Sequence, residues 1–556
     1  MPILIRNIRL GLDDPEDRIP ALAARRLGVT VATIRSYAVV RRSLDARKKS
    51  DIHFTYHVEV ALDEPRRTER RRMRKLTKQQ AEWIEPHTPH VPRSGDGQSP
   101  ARPMIVGLGP AGMFAALRLS QLGYRPIVFE RGRELHRRNA DITKRFYREG
   151  QFDPASNLLF GEGGAGTYSD GKLYTRVRDP LVHMVLETLY QHGGNPDILV
   201  DARPHIGSDR LPSICSSIRR KIELLGGEVC FEHCVDDIRL TADGPGDSGS
   251  PDAARRLAEL HVTGPGIGSE GKWMTAGPTI FAIGHSARDT IRMLDKRGVQ
   301  LASKPFQIGV RIEHSQSLVD RWQYGALAGH PRLGPAEYHL VARDVASDHG
   351  NMFSFCMCPG GTILPGHHAP GLIATNGGSR SDRSGPFANS GLVITMDPGA
   401  TNLNPVEGLA YQERWERLAF QATDGSYRVP AQRAADYLVD RLSDGQLDTS
   451  YPLGGEWSDI RGLIPEQVSS ALDRALVMLD EKLPGFAGAE AIITAPETRA
   501  SSPIRILRDQ NTRQAVGIEN LYPTGEGAGY AGGIVSSAID GIVGADKIIE
   551  RFARPS

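Results

Sequence analysis

Gly107, Gly109 and Gly112 stand at the spacing GxGxxG, and an acid, Glu130, follows 18 positions after the last of them. These residues have a definite chemistry. The first glycine permits a tight turn, the second lets bare backbone approach a pyrophosphate, and the third lets a helix pack closely on a strand. An acid about 20 residues on can accept bonds from ribose hydroxyls. That carboxylate also disfavours a ribose 2'-phosphate, although Arg131 beside it argues the other way. A second glycine cluster, TGEGAGYAGGI (Thr524–Ile534), comes roughly 400 residues later. Glycine in the interior of an element costs roughly 0.5–1 kcal/mol relative to alanine, so something should approach the backbone closely there.

The elements that must position these residues are legible around them. MIVGLGP (Met104–Pro110) is a short apolar strand running into glycine, AGMFAALRLSQLG has helical spacing, and PIVFERG (Pro126–Gly132) is a second buried strand. Strand, tight turn, helix, strand is a βαβ unit, which implies an α/β dinucleotide fold with parallel pairing. This is the strand-to-helix context in which GxGxxG is informative. Glu228–Leu240 and Leu257–Thr263 read as strands joined by a low-complexity hairpin tip, TADGPGDSGSPDAAR, and TIFAIGHSA returns as an apolar strand. Upstream, Ile3 to about Leu62 reads strand, helix, strand, strand, the last with period-two alternation. It predicts a small ferredoxin-like α+β module. It ends in the basic run RRTERRRMRKLTKQQ and a linker rich in proline, glycine and serine. The expected division is a module over 1–85, a linker over 86–102, and a dinucleotide-binding domain over 103–303 that is completed by a return over 497–556. An α+β substrate or cap domain is inserted over 304–496, with helical stretches GLAYQERWERLAFQA and EQVSSALDRALVMLDEKL. There is no internal repeat.

Composition narrows the class. Three or so domains fit 556 residues at the usual domain size. With 60 glycines, 39% hydrophobic content and 24% charge, glycine is the one unusual component of an otherwise ordinary globular chain. A net charge of +2 does not predict a nucleic-acid or membrane partner for the whole protein. Five cysteines, with no charged-then-apolar leader at MPILIRNIRL, predict a reducing, cytoplasmic setting rather than a disulfide framework. No apolar run is long enough for a membrane span, and no metal site is expected.

The blocks VGLGPAGMFAA, FERG, FGEGGAGTYSDGKLY, VDDI, AIGHSARDT, PFQIGVRIEH, SFCMCPGG, ETRASSPIRI and LYPTGEGAGYAGGI give the chain a resemblance along nearly its whole length. In order and spacing it resembles a bacterial family of uncharacterised FAD-dependent dehydrogenases, and it is more distantly similar to the glutathione-reductase-type flavoproteins. The resemblance implies FAD, a Rossmann-like FAD fold, and roles for particular residues. Gly107, Gly109, Pro110, Ala111 and Gly112 would hold the diphosphate, and Glu130 the adenosine ribose, with Arg131 on the adenine side. Gly164, Ala165, Gly166, Thr167, Ser169, Asp170, Gly171 and Lys172 would form a loop beside the flavin ring. Val235 would set its backbone against the adenine edge, and Ala282 and Gly284 would lie near the adenosine, where Ile283 replaces the usual threonine. Gly525 and Glu526 would meet the ribityl chain and diphosphate. Gly532, Gly533 and Ile534 would start the last helix with bare amides aimed at the flavin pyrimidine carbonyls, where a helix N-terminus favours negative charge.

The reacting partner is less legible. GPGIGSEG (Gly264–Gly271) lies in a polar loop, so a second, built-in NAD(P)H domain is not expected, and diffusible NAD(P)H is left as a transient reductant. No CxxC accompanies a flavin motif. Cys356 and Cys358 are the remaining redox candidates. In an extended strand they would share one face about 6.5 Å apart, near the upper limit for a disulfide, unless Pro359, Gly360 and Gly361 supply a bend. They read either as packing thiols, the commoner role of free cysteine, or as a thiol pair or single reactive thiol facing the flavin. Lys172, Arg311, His314, Arg499 and Arg505 read as anion-orienting groups or as salt-bridge partners, and His285 as a proton donor or a solvated turn residue. Together these readings predict a cytoplasmic FAD-dependent oxidoreductase acting on a small molecule. The alternatives are an RNA-associated flavoprotein using the run Arg66, Arg67, Arg70, Arg71, Arg72, Arg74, Lys75 and Lys78, or a flavin-binding regulator without turnover.

Overall fold

Apolar runs from both ends of the chain meet in one parallel sheet. Leu521–Pro523, Thr279–Phe281, Met104–Val106, Ile127–Glu130 and Glu228–Phe231 lie side by side in that order, every pair parallel. Side chains alternate between two cores, as the period of a strand requires. Ile105, Val128, Ile280 and Tyr522 face a layer that includes helices Pro110–Gln121 and Ile534–Arg551. Met104, Val106, Phe129, Phe281 and Leu521 face the opposite layer, made by strands Cys234–Ala242 and Arg255–Thr263 and helix Arg288–Lys296. Helices on one face and a smaller sheet with a helix on the other leave the strands Met104–Val106, Thr279–Phe281 and Leu521–Pro523 buried throughout, which is why their sequences are almost wholly apolar. The computed structural model describes residues 2–84, 91–242, 255–346, 350–398 and 403–555. Most of the expected hairpin tip TADGPGDSGSPDAAR lies outside the described residues.

A seven-stranded sheet forms the second layered unit. Its order is Val341–Ala342, Met352–Cys358, Phe387–Met396, Phe306–Ser315, Ile492–Glu497, Val429–Arg433, Gly455–Trp457. All its pairs are antiparallel except the last. Helices Gln316–Tyr324 and Glu466–Lys482 cover it with Val319, Trp322, Val468, Leu472 and Leu476 in the shared core. Helix Pro405–Gln421 opens on a capping box between Asn404 and Glu407, which satisfies two of the amides a helix start leaves unpaired.

The amino-terminal module runs strand, helix, strand, strand, helix, strand, with sheet order Ile34–Asp45, His53–Leu62, Ile3–Gly11, Ala81–Trp83 and all pairs antiparallel. That order and direction are those of a split-βαβ, ferredoxin-like unit. The sequence reading gave the basic run no secondary structure. It folds as helix Arg66–Met73 and leads into the fourth strand, because Arg72 bridges to Glu64 and caps the carbonyls of Leu27 and Gly28. The module is held at two places. Backbone bonds join Arg42 to Val200 and Ala202, and Arg332 of the large-sheet unit donates to the carbonyls of Leu12 and Asp14.

Two further sequence readings need correction. Glu228–Leu240 is not one strand: it breaks at Glu232, which takes a left-handed φ of +60°. The end of the linker is pinned rather than free, since Gly95 and Gly97 donate to the carbonyls of Ile549 and Arg551 at the end of the last helix.

Candidate functional site

The carboxyl ends of three adjacent parallel strands deliver the glycine motifs to one place. Val106 leads into Gly107, Phe281 into Ala282 and Gly284, and Pro523 into Gly525 and Glu526. A side chain on Gly107 would stand 2.5 Å from the Ala282 carbonyl oxygen, and one on Gly525 2.8 Å from the Ala111 Cβ. One on Gly527 would stand 2.5 Å from the Gly284 carbonyl oxygen, and one on Gly112 would overlap the carbonyl of Gly107. Gly107, Gly112 and Gly527 are required by main chain packed on main chain, and Gly525 by the Ala111 side chain. Gly284, Gly532 and Gly533 differ: nothing lies within 4 Å of where their Cβ would be. Gly533, with φ +103°, is the N-cap of the 18-residue helix that starts at Ile534. Here bare backbone faces open space, as a cradle for a flat ligand needs.

The loop Gly161–Lys172 closes over the same motif. Gly163 donates to the Leu108 carbonyl at 3.0 Å, a Cβ on Gly164 would lie 2.9 Å from the Gly109 Cα, and one on Gly166 would touch Pro110 and Ile534 at 3.3 and 3.6 Å. Ala165 is exposed, Thr167 is buried and bonded to the Glu162 carbonyl, and Ser169 donates to Gly166. Farther along, Gly171 packs on Leu211, and Asp170 and Lys172 form an ion pair of 3.0 Å.

Glu130 has a role its position did not suggest. Its carboxylate accepts from the amides of Leu108 at 2.8 Å and of Gly132 and Gly161 at 2.9 Å, so one buried acid ties the motif turn to the following loops. A carboxylate has about four lone-pair sites, which leaves room for a ribose hydroxyl. Arg131 pairs with Asp289 at 2.9 Å and lies over the Phe160 ring at 4.6 Å. Val235 is buried opposite Val262, where the ladder slips. It follows closely on His233, whose amide donates to the Glu130 carbonyl.

Glu526 meets His285 at 3.3 Å. Burial works against its carboxylate, but His285 and the Gly533 amide hold its pKa down. His285 is not a solvated turn residue. Its ring is largely enclosed, and its Nε2 is buried without a hydrogen-bond partner among the described residues, which suits contact with a bound group. Arg311, His314 and Arg499 prove to be buried structural partners, of Glu497, the Phe486 carbonyl and Glu416 respectively. Arg505 lies over Tyr530.

Several contributors escaped the sequence reading. Asp540 accepts from the Gly525 amide at 2.7 Å while paired to Arg508, which also donates to the Pro523 carbonyl. Its signal was an acid on the apolar face of the last helix. Arg138, fully buried, donates to the carbonyls of Asn157, Glu162 and Gly164 and so shapes the loop over the motif. Nothing in its local pattern marks it.

A family model described as FAD-dependent protein, C-terminal domain-like, matches residues 305–500, and one described as a domain of unknown function matches residues 1–61. An uncharacterized protein of Clostridium beijerinckii is 38% identical over 558 residues, covering 100% of both chains. The chain belongs to this family of FAD-dependent proteins. FAD is its cofactor, and the cradle of Gly284, Gly532 and Gly533 and the partnerless His285 nitrogen fit such a group. Among solved structures, the glycine oxidase of Geobacillus kaustophilus is 12% identical, covering 84% of this chain and 97% of its own, with a TM-score of 0.33. A flavoprotein/dehydrogenase of Cytophaga hutchinsonii is 10% identical, covering 80% and 76%, with a TM-score of 0.35. Superpositions this loose carry no argument about substrate. Among the described residues, no helix is long and apolar enough to cross a membrane.

Proposed function

We propose that the chain is an FAD-dependent oxidoreductase that moves a hydride between a small substrate and the flavin N5. The observation that carries the reading is the convergence of Gly107–Gly112, Ala282–Gly284 and Gly525–Gly533 at the carboxyl ends of adjacent parallel strands, where an α/β sheet binds its ligand. In this reading Gly109, Pro110 and Ala111 hold the diphosphate at the start of their helix. Glu130 takes a ribose hydroxyl, and the amides at Gly532, Gly533 and Ile534 face the pyrimidine edge. FAD supplies two-electron chemistry when bound. The chain's own residues orient it, and the loop Gly164–Lys172, with the large sheet behind it, screens one side from water. NAD(P)H docking transiently from solution is one source of electrons.

The test is anaerobic reduction of the yellow holoprotein by NADH, NADPH and a panel of metabolites. Reduction by one class at a rate well above the others supports turnover. A correctly folded protein that refuses added FAD overturns the reading, and bound FAD that nothing reduces favours a regulator.

A second reading rests on helix Arg66–Met73 and the residues after it. Arg66, Arg67, Arg70, Arg71, Arg74, Lys75 and Lys78 are all exposed, a density of cations that suits phosphates of RNA. Salt-dependent RNA retention by the full chain, lost on replacing four of these arginines by glutamine, would support it.

A further inference from the structure

Cys356 and Cys358 sit in the strand that pairs with Phe387–Met396, at the one point where its ladder is irregular. Phe355 pairs with Gly391 and Cys358 with Asn389, so the strand carries one extra residue between them. Cys356 takes the left-handed φ of +44°, rare for a residue with a Cβ. The bend that re-aims the thiols therefore lies at Cys356, ahead of the turn at Pro359 and Gly360 that ends the strand. A bulge re-aims side chains, and a strained residue in a buried charged cluster invites a functional account.

The surroundings differ from an ordinary packing site. The Cys358 thiol is fully buried, 3.2 Å from the Cys356 carbonyl oxygen, with the Lys172 ammonium 3.7 Å from its sulfur. Lys172 is paired in turn with Asp170. Arg311 donates to the Cys356 carbonyl. Gly377 leaves the space above them free, since a Cβ there would lie 3.0 Å from the Cys358 sulfur and 2.5 Å from the Arg311 guanidinium. Cys356 is only half-buried. Cys356 is thus the less buried of the two, and Cys358 the enclosed one. A hydrogen bond from Cys358 lowers the Cys356 thiol pKa, and Lys172 and Arg311 add to this against the cost of burial. The partner thiol moves the opposite way. Of the pair, Cys356 is the less buried member and the one whose thiol pKa is lowered.

We propose that Cys356 and Cys358 form a redox-active dithiol that exchanges with small disulfides, Cys356 attacking and Cys358 resolving. The Cys356 thiolate attacks one sulfur of R–S–S–R, forming a mixed disulfide and releasing R–S⁻, which takes a proton from water. The Cys358 sulfur then attacks the Cys356 sulfur, its proton leaving with the second R–S⁻ as R–SH. The two cysteines end joined by one S–S bond, oxidised by two electrons, and the substrate disulfide is reduced to two thiols. Lys172 is a positioning residue that favours thiolate at the pair. This single turnover needs no flavin. Only the return of the bridge to dithiol rests on the proposed flavoenzyme, whose reduced flavin is the two-electron donor.

The experiment treats reduced holoprotein with 2-hydroxyethyl disulfide and maps the cysteine peptides by mass. The expected wild-type product joins Cys356 to Cys358, lighter by two hydrogens, with two equivalents of 2-mercaptoethanol released. Cys358→Ser should stop at one adduct on Cys356, and Cys356→Ser should leave Cys358 unmodified. Lys172→Gln should slow iodoacetamide alkylation of Cys356 at pH 6 about twofold, the change that a rise of roughly one pKa unit makes to a thiol whose pKa is lowered to about 5, whereas Lys172→Arg restores it. A wild-type protein that yields no bridge, or Cys356 alkylation indifferent to Lys172→Gln, overturns the proposal. Absorbance of bound flavin, recorded on each variant, separates the two readings: exchange in protein that holds no FAD sinks the flavoenzyme and leaves the dithiol standing.

Discussion

Gly541, midway along the last helix, lies against the backbone of Ala111 so closely that any Cβ would overlap the Ala111 carbonyl oxygen. The helix that opens the dinucleotide motif and the helix that ends the chain therefore touch main chain to main chain. Gly541→Ala should push them apart at a destabilisation of about 1–3 kcal/mol, the usual cost of overpacking. Thermal melts with and without FAD check this. A lower melting temperature is expected in both, together with faster flavin release, since Ala111 belongs to the diphosphate turn.

Gly532 should behave in the opposite way. No atom lies within 4 Å of its Cβ position, so Gly532→Leu is expected to leave the melting temperature of the FAD-free chain unchanged. FAD affinity should fall by about a hundredfold, or about 2.7 kcal/mol, by fluorescence titration. Unaltered affinity would place the flavin elsewhere.

Glu130→Gln replaces a carboxylate that serves three amides with a group holding only one acceptor oxygen. At least one of the Leu108, Gly132 and Gly161 amides would face an NH2 instead, and a buried unsatisfied donor costs about 1–3 kcal/mol. Weaker FAD binding, by about tenfold or more, is expected by titration. A cofactor affinity equal to wild type would show that the acid organises loops and not the nucleotide.

Acid should weaken the fold in two stages. His314 and His367 are kept neutral by burial, with pKa values pushed from 6.5 down to about 4 and about 3. As the pH falls below 6.5 the unfolded chain binds a proton at each and the folded chain does not, so stability drops, by up to about 1.4 kcal/mol per pH unit for each group. Burial works against the Glu416 carboxylate too, yet Arg288 and Arg499 hold it at about 2 against an ordinary 4.5. Its contribution is present above 4.5 and is lost as the pH falls towards 2. Urea midpoints measured from pH 7 to pH 5 report the first stage. His367→Phe should flatten that slope, because the ring already stacks on Tyr427 at 5.0 Å and neither of its nitrogens has a partner among the described residues.

The parts of this molecule that were legible in sequence are those where local pattern and global role coincide. Met104–Val106 had to be a covered strand because it is wholly apolar and ends in glycine, and the ferredoxin-like module showed in the alternation of His53–Leu62. What stayed hidden depends on partners far along the chain. The basic run became a helix through Arg72 reaching Glu64 and the end of another helix. Arg138 and Asp540 shape the nucleotide loops by bonds to main-chain atoms of residues 15 to 26 positions away, which leave no local signature. The cysteines illustrate the same limit: spacing placed them on one face of a strand, and only the pairing register revealed the extra residue between Phe355 and Cys358.

The amino-terminal module is clamped by Arg42 to one unit and by Arg332 to the other, and its Leu12 and Ile52 enter the large-sheet core. A chain so cross-braced is poorly suited to open like a bivalve. A brace of this kind favours guests of modest size that enter without parting the two units.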